Sequence, residues 1–475
     1  MVKKDTEGKE KRKFSFKMPD VYVLLFFLVI FASIATYFVP SGEYDRVENE
    51  ENEITEVDPT SFHFVEADPV GISDIFMSIT EGMIDSGNII FLILFLGGAF
   101  RVMEASGAIN TGIITLMQKF KNKKTLLIII LGSLFSLLLT TGFSANATVA
   151  FIPIGLLIAK ALKLDAIAGV AIVFLTSMTG FLIAFLNPKV LGIAQQVAEL
   201  PMFSGIGYRI ILFIVFTSIT ILYIIWYIKK IQRDPSKSFM GEKKFSDDVS
   251  EVDIHSEVKF TVKHTLVLSL FILALGFYVY GALNLDFGMN EMTALFLVIA
   301  IGSGMIAGLK SNEIVTEFME GARGLMYAAL ITGAARAVVF VLEDGKIIDT
   351  VIHALAIPLE NLPPSIAAIG MLWANAIINF FVNSGSGQAL VTMPIWTPLA
   401  DILEVNRQVA VQAFQFGDGI TNLIFPTSGT LMAALAMGRV PYGAWVKFIW
   451  PLILIWMVLA SLAIYIGMLF NWGPF

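Results

Sequence analysis

The chain contains no cysteine and only four histidines among its 475 residues. The absence of cysteine excludes disulfide bonds, thiolate metal sites and catalysis by a thiol. The four histidines are isolated from one another in the sequence, so they form no plausible metal-ligand set. Charged residues are also scarce, at 15% of the chain. We expect neither a cofactor nor a nucleic-acid partner.

Hydrophobic residues, by contrast, make up 56% of the chain, and its mean hydropathy is +0.77. A soluble domain of this composition would have no polar surface. Runs of roughly 20 apolar residues, long enough to cross about 30 Å of hydrocarbon, recur along the sequence. The sequence therefore predicts an all-α polytopic membrane protein. Its spanning helices are predicted at residues 21–39, 89–103, 125–141, 166–185, 206–228, 264–283, 292–309, 325–342, 364–382, 409–425 and 446–470.

The distribution of charge predicts the orientation in the cytoplasmic membrane. Residues 1–20 are basic, whereas residues 43–68 are dominated by Glu and Asp. Lys and Arg mark cytoplasmic loops, so we expect the N-terminus inside, and the acidic loop and the C-terminus outside. The charged segment 229–263 is predicted to be a cytoplasmic linker, followed by a linking helix at 264–284. The first apolar run is long for a signal peptide and lacks a cleavage pattern, so we interpret it as a spanning helix.

Two parts of the chain repeat the same order of landmarks. The sequence TTGFSANATVAFIP at 140–153 loosely matches FFVNSGSGQALVTMP at 380–394, and a second break follows each, at Pro188 and Pro426. The loop after the motif SGAINT is basic, whereas the loop after its counterpart DGKIIDT is not, which places equivalent points on opposite membrane faces. We therefore predict two inverted repeats, at 21–228 and 289–475, a pattern typical of secondary transporters.

Each matching segment interrupts an apolar helix with small polar residues. An unpaired backbone N–H or C=O in hydrocarbon costs several kcal/mol, so irregular backbone persists there only beside protein or a water-filled cavity. Too few apolar residues follow either break for another crossing. The sequence therefore predicts re-entrant hairpins at about 143–163 and 383–404. Their carbonyls and hydroxyls can coordinate Na⁺, and their helix N-termini can bind a carboxylate.

Charged residues inside apolar segments are the next candidates. Asp418 lies between two glycines, and an intramembrane carboxylate is a functional candidate by default. It could bind a coupling cation, carry a proton or contact a substrate ammonium, and the alternative is a helix cap near the interface. Lys189 is the candidate for binding a substrate carboxylate. Arg101 and Arg336 are interpreted as structural or snorkelling residues.

The chain resembles the YfcC-like family, which is related to the anaerobic C4-dicarboxylate carriers of the DcuC type and, more distantly, to the ion-transporter superfamily. The resemblance covers nearly the whole chain. It rests on MPDVYVLLFFLVIFASIATYFVPSGEY at 18–44, NSGSGQALVTMPIWTPLAD at 383–401 and QFGDGITNLIFPTSGTLMAALAMGRVPYGAW at 415–445. It implies Ser-Asn-Thr motifs at both hairpin tips that hold Na⁺ and the substrate carboxylate, a transport domain that moves as an elevator, and a homodimer.

By position, the Ser-Asn-Thr role falls on residues 144, 146 and 148 in the first repeat. In the second repeat it falls on residues 383, 384 and 386, where a Gly-rich SGSGQ replaces the Thr and departs from a two-Na⁺ pattern. The candidate substrate-binding residues are Ser144, Asn146, Thr148, Asn187, Lys189, Asn383, Ser384, Ser386, Asp418, Asn422, Thr427 and Ser428. The candidate Na⁺ ligands are Ser144, Asn146, Asn383, Ser384 and Asp418, and H⁺ is the alternative coupling ion.

These features predict a secondary active transporter of a small organic solute. Asp418 favours a positive group on the substrate, and Lys189 is the only cation at the breaks. A basic or zwitterionic amino acid, taken up or exchanged, is therefore placed slightly ahead of a Na⁺- or H⁺-coupled C4-dicarboxylate. Two other classes remain: a channel, which inverted repeats disfavour, and an intramembrane serine enzyme at SGSG, which lacks a histidine base.

Overall fold

The computed structural model describes residues 21–49, 54–66, 69–109, 111–112, 115, 123–141, 145–241, 245, 260–285 and 287–473, and these residues are mostly helical. The predicted basic N-terminus at 1–20 lies outside the described residues. So do Ser144 and residues 242–244 and 246–259 of the predicted linker.

The helices of the N-terminal half follow the predicted spans closely and add short ones between them. They are α1 (Val21–Thr36), α2 (Ile72–Asp85), α3 (Gly87–Ala105), α4 (Lys124–Thr140), α5 (Asn146–Ala161), α6 (Ala166–Phe181), α7 (Ile193–Val197) and α8 (Ile206–Arg233). Three of their turns are not α-helical. The first residues of α5, Asn146–Phe151, form a 3₁₀ turn, while Ala171–Leu175 inside α6 and Pro188–Gly192 before α7 are π turns. Single π turns are frequent at functional sites.

The C-terminal half has the same organisation. Its helices are α9 (Val262–Asn284), α10 (Met289–Ala307), α11 (Ser311–Gly324), α12 (Met326–Asp344), α13 (Ile348–Ala356), α14 (Pro364–Ile378), α15 (Gly385–Ile402), α16 (Arg407–Thr421), α17 (Gly429–Met437) and α18 (Tyr442–Leu469). Every predicted span contains a helix. The amphipathic helices α2 and α11 were not predicted, because neither contains a continuous apolar run.

Among the described helices, five are long and apolar enough to cross a membrane, namely α3, α8, α10, α12 and α18. Several further apolar helices, including α4, α6 and α14, are shorter, as expected for helices that stop at a break. Large apolar side chains such as Phe31, Leu222 and Leu273 are exposed on the outer surface. Such a surface suits lipid rather than water, so the chain is a multi-pass membrane protein.

The bounds of several helices recur at a nearly constant offset. Helices α2 and α3 recur as α11 and α12, with each of the four ends displaced by 239 residues, for example from residue 72 to residue 311. The pairing also recurs, because α2 packs on α12 while α11 packs on α3. A Cβ atom at Gly82 would collide with the backbone oxygen of Gly333, and one at Gly321 would collide with that of Gly97. Equivalent glycines therefore permit both close helix approaches.

The helices pack into two bodies. The first body contains α1, α2, α3, α9, α10, α11 and α12, and the second contains α4 to α8 and α14 to α18. Contact between the bodies is made mainly by α12 against α17, with a smaller contact between α3 and the first turn of α5. Both polar breaks of each half of the chain belong to the second body, and residues from them line a cavity at this boundary.

The loop between α1 and α2 is not irregular throughout, contrary to the all-α prediction. Residues 37–66, which we name the strap, contain two short antiparallel pairs. These are β1 (Gly42–Glu43) with β4 (His63–Phe64), and β2 (Arg46–Asn49) with β3 (Ile54–Val57). Polar and β-branched residues in short alternating runs form such pairs outside the hydrocarbon, where water satisfies the free strand edges.

The strap is fastened to α13 in the other half of the chain. Arg46 forms an ion pair of 2.7 Å with Asp349, and the ring of Phe62 stacks on His353 at 3.9 Å between centroids. The hydroxyl of Tyr44 lies 2.9 Å from His353 Nδ1. Burial and the nearby Asp349 carboxylate raise the pKa of Tyr44, so this hydroxyl keeps its proton. Strand β3 also contacts α15, so the strap packs on the second body.

Helix α6 packs so closely on α4 that one glycine is required. A Cβ at Gly180 would lie well inside the van der Waals radius of the Ser136 backbone oxygen. We expect Gly180→Ala to lower the stability by about 1–3 kcal/mol, the usual cost of overpacking, as measured by thermal unfolding in detergent. Gly276→Ala in α9 is the matched control, because its Cβ meets no atom within 4 Å. An unchanged melting temperature for Gly180→Ala would contradict this packing.

Candidate functional site

A cavity of about 490 Å³ lies at the boundary between the two bodies, and we name it the central cavity. The first body contributes residues from α2, α3, α10 and α12. These are Asp85, Ser86, Ile89, Met289, Thr332, Arg336 and Val339, with Phe287 and Gly288 just before α10. The second body contributes the polar breaks. Its lining residues are Ala145, Asn146, Met178, Phe181, Asn187, Lys189, Val190, Asn383, Ser384, Gly385, Ser386, Asn422, Thr427, Ser428, Gly429 and Thr430.

The structure brings most of the candidate residues together around this cavity. Nine of the twelve line it, namely Asn146, Asn187, Lys189, Asn383, Ser384, Ser386, Asn422, Thr427 and Ser428. Ser144 lies outside the described residues. Thr148 does not line the cavity, because it is fully buried and its hydroxyl donates to the Ala145 carbonyl oxygen at 2.6 Å. Asp418 does not line it either.

Two helices begin at the cavity wall. Ser384 caps α15, because its Oγ accepts from the N–H of Gly387 at 3.3 Å. Ser428 caps α17 in the same way, accepting from the N–H of Leu431 at 3.4 Å. The N–H groups of a first helical turn have no acceptor within the helix, and they carry the positive end of the helix dipole. Both N-termini therefore suit an anionic ligand.

The break at Pro188 places the cationic side chain of Lys189 in the lining of the same cavity. The Oδ1 atom of Asn187 accepts from the backbone N–H groups of Lys189 at 2.9 Å and Val190 at 3.2 Å, which fixes the turn after Pro188. The Lys189 side chain is exposed to the cavity. Its ammonium forms no ion pair with any residue that the structure describes. A charge in this position is available to a ligand.

An asparagine network connects the cavity to Asp418. Asn422 accepts from Asn383 at 2.7 Å through its Oδ1 and donates to Asp418 Oδ1 at 3.0 Å. Asn379 also donates to Asn422 Oδ1, at 3.2 Å. The other carboxylate oxygen, Asp418 Oδ2, is buried and accepts no hydrogen bond from the described residues. It lies beside Gly385, where a Cβ would be only 3.1 Å away.

Asp418 itself does not line the central cavity, and its direct contact with a substrate stays a prediction. The Asp418 carboxylate accepts a hydrogen bond from Asn422 and lies beside Gly385 at the N-terminus of α15, and both of these residues line the cavity. A solute in the central cavity therefore meets Asn422, and Asp418 lies behind it.

Sequence reasoning missed two charged lining residues, Asp85 and Arg336. Arg336 Nε donates to Asp85 Oδ2 at 2.8 Å, and both residues face the central cavity. The interpretation of Arg336 as a structural or snorkelling residue stays a prediction, and the structure adds that Arg336 lines the cavity. Its position inside an apolar segment was a usable signal, but Asp85 is 251 residues away, and only helix packing brings the two together.

The first-half and second-half breaks also touch directly. Thr430, at the start of α17, donates a hydrogen bond to Asn146 Oδ1 in the first turn of α5. Residues from both halves of the chain therefore contact each other at the cavity.

Comparison with known proteins identifies the family. The family model described as DcuC, the C4-dicarboxylate anaerobic carrier, matches residues 18–469. The chain belongs to the DcuC family. The predicted resemblance is thereby confirmed, and this member of the DcuC family is a membrane transporter.

Two curated relatives align with this DcuC family member over almost their whole length. A protein of Escherichia coli (strain K12) named "Putative basic amino acid antiporter YfcC" is 31% identical over 93% of this chain and 94% of its own. A protein of Haemophilus influenzae, named only as uncharacterized, is 29% identical over 93% of this chain and 95% of its own.

Two solved transporter structures were also found. The YdaH transporter of Alcanivorax borkumensis has a TM-score of 0.41 and 16% identity, covering 96% of this chain and 100% of its own. MtrF of Neisseria gonorrhoeae, described as illuminating a class of antimetabolite efflux pumps, has a TM-score of 0.42 and 17% identity, covering 96% of both chains.

The absence of native cysteine allows a direct test of the lining. We expect Ser386→Cys to react with a water-soluble methanethiosulfonate reagent in the folded protein, because residue 386 faces the central cavity. Thr148→Cys should react only after denaturation, because residue 148 is fully buried. Labelling is read by mass spectrometry, with the cysteine-free wild type as the zero background. Equal reaction rates at the two positions would refute the assignment.

Proposed function

We propose that this protein is a secondary active transporter of small carboxylates, and that dicarboxylates are its preferred class. The observation that carries the proposal is the Lys189 ammonium, which faces the central cavity without an acidic partner among the described residues. A transported carboxylate would supply that partner. The N-termini of α15 and α17 add donors for the same group.

The charge of the lining supports a dianion over a zwitterion. Lys189 and Arg336 are cationic, and Asp85 is the single carboxylate among the lining residues. The earlier preference for an amino acid depended on Asp418 reaching the substrate and on Lys189 being the only cation at the site. Asp418 does not line the cavity, and Arg336 is a second cation there. We therefore place dicarboxylates ahead of amino acids as the substrate.

A basic or zwitterionic amino acid, taken up or exchanged, is the second candidate. One observation favours it, because Asp85 faces the cavity and could contact a substrate ammonium. The name of the Escherichia coli relative points to the same class.

We further propose that Asp418 is the coupling site, for Na⁺ or for H⁺. Its side chain is fully buried, and one of its oxygens has no hydrogen-bond donor among the described residues. A buried carboxylate in this condition is costly unless a cation or a proton neutralises it. Asn422 bonds to Asp418 on one side and faces the cavity on the other, which gives the ion a direct route of influence on the substrate site.

The transport movement we propose is an elevator. The second body carries the two hairpins and the broken helices, and it would slide along the α12 and α17 boundary while the first body stays fixed. Inverted repeats, a cytoplasmic N-terminus, an external C-terminus and a homodimer belong to the same proposal. The recurring helix bounds and paired glycines support the repeats.

Removal of the Lys189 charge tests the substrate class. We expect succinate to raise the melting temperature of the wild-type protein in detergent, because a ligand that binds only the native state stabilises it. Lys189→Gln should lose this shift through a fall in affinity of about tenfold or more, since hydrogen bonds to charged groups contribute about 1.5–3 kcal/mol. Lys310→Gln is the control, because Lys310 is exposed and lines neither described cavity.

Two results would overturn the carboxylate proposal. One is a succinate shift that survives unchanged in Lys189→Gln. The other is stabilisation of the wild type by arginine or lysine but not by succinate, which would favour the amino acid candidate.

Neutralisation of Asp418 tests the coupling site. We expect Asp418→Asn to bind succinate but to lose the dependence of that binding on Na⁺ or on pH, whichever the wild type shows. The isosteric amide keeps the packing beside Gly385 while it removes the charge. Binding is measured in Na⁺ or choline at two pH values, with Asp401→Asn as the control on an exposed carboxylate. Retained ion dependence in Asp418→Asn would place the coupling site elsewhere.

A further inference from the structure

We propose that Asp85 is a built-in competitor for the substrate, and that Arg336 is a specificity-determining residue that exchanges Asp85 for a substrate carboxylate. The Asp85 carboxylate pairs with Arg336 in the structure, and the second carboxylate of a bound dicarboxylate displaces it. This inference rests on the proposed function and assigns the residue that would bind the second carboxylate.

The hydrogen bonds of Arg336 leave room for a ligand. Its Nε donates to Asp85 Oδ2 at 2.8 Å, and its Nη2 lies 3.9 Å from Glu343, which is beyond hydrogen-bond length. Arg336 makes no other side-chain hydrogen bond to a described residue. A guanidinium carries five N–H donors, so most of them are free. The guanidinium lies over the ring of Phe340 at 5.2 Å, which holds it in place.

The pair is also easy to break. The Arg336 side chain is 30% exposed and that of Asp85 is 47% exposed. Exposed ion pairs contribute little to stability because water competes for both partners. Replacement of the Asp85 carboxylate by a substrate carboxylate keeps Arg336 paired, and the released Asp85 at the end of α2 can be hydrated. A carboxylate can also bind two guanidinium nitrogens at once, which Asp85 does not do.

The two cations of the cavity lie on opposite bodies. Lys189 and the N-termini of α15 and α17 belong to the second body, whereas Arg336 belongs to α12 in the first body. A dicarboxylate can bind both walls, but a monocarboxylate can bind only one. Arg336 also lines a neighbouring cavity of about 410 Å³ beneath the strap, so its side chain borders both cavities.

The other half of the chain offers a matched ion pair that should be inert. Arg101 on α3 pairs with Glu317 on α11 at 2.9 Å, in the helix pair that corresponds to α12 and α2. Neither residue lines the central cavity or the cavity beneath the strap.

The test is the affinity of the purified full-length protein for succinate and for butyrate, measured by isothermal titration in detergent. We expect Asp85→Asn to tighten succinate binding several-fold and Arg336→Gln to weaken it about tenfold or more, because a charged hydrogen-bond partner is lost. Butyrate affinity should change much less in Arg336→Gln, so the preference for succinate falls. Glu317→Gln should leave both affinities unchanged.

The two substitutions are expected to change the affinity for succinate in opposite directions, which makes the proposal falsifiable. If Asp85→Asn weakens succinate binding as Arg336→Gln does, the pair is only structural and the inference is wrong. Equal losses for succinate and butyrate in Arg336→Gln would also overturn it. Asp85→Asn carries the test by itself if Arg336→Gln does not fold. A different result would contradict the proposed function, namely Lys189→Gln binding succinate as tightly as the wild type does. If the wild type binds neither succinate nor butyrate, both the proposed function and this inference are wrong.

Discussion

The cost of an unpaired backbone group in hydrocarbon is the constraint on which the rest of this structure depends. A helix that stops inside the membrane leaves donors and acceptors that neither lipid nor the helix itself can satisfy. Here the interrupted helices stop against one another, so that Ser384 and Ser428 cap α15 and α17 at a shared cavity, and Thr430 bonds to Asn146 across the two breaks. The broken helices therefore need a polar cavity to satisfy their backbone groups. A solute can replace water in the same cavity.

The polar residues around this cavity divide into two layers with different surroundings. The inner layer, which includes Lys189 and Asn422, lines the cavity. The layer behind it is dry, and there a missing partner is costly, as at Asp418 Oδ2. Asn422 belongs to both layers because it lines the cavity and donates to Asp418. An ion bound at Asp418 and a solute in the cavity would thus both contact the side-chain amide of Asn422. This amide could couple binding of the ion to binding of the solute.

The sequence predicted the positions of the helices and polar breaks better than the contacts between individual side chains. Spanning helices and polar breaks leave periodic and compositional signals, so each predicted span contains a helix and nine of twelve candidate residues line the central cavity. The misses have physical reasons. Helices α2 and α11 are amphipathic, and apolar run length does not detect them. The contact of Asp85 with Arg336 depends on helix packing across 251 residues. The strap strands are too short to leave a clear pattern.

The attachment of the strap to α13 has a consequence for the order of assembly. Arg46 and Asp349 are 303 residues apart, so a loop made early in synthesis has no partner until most of the chain has left the ribosome. Local helices can form and insert at once, whereas a contact of such high sequence separation must wait for loop closure. The strap therefore closes late, once α13 and α15 have both been made, because it contacts both helices.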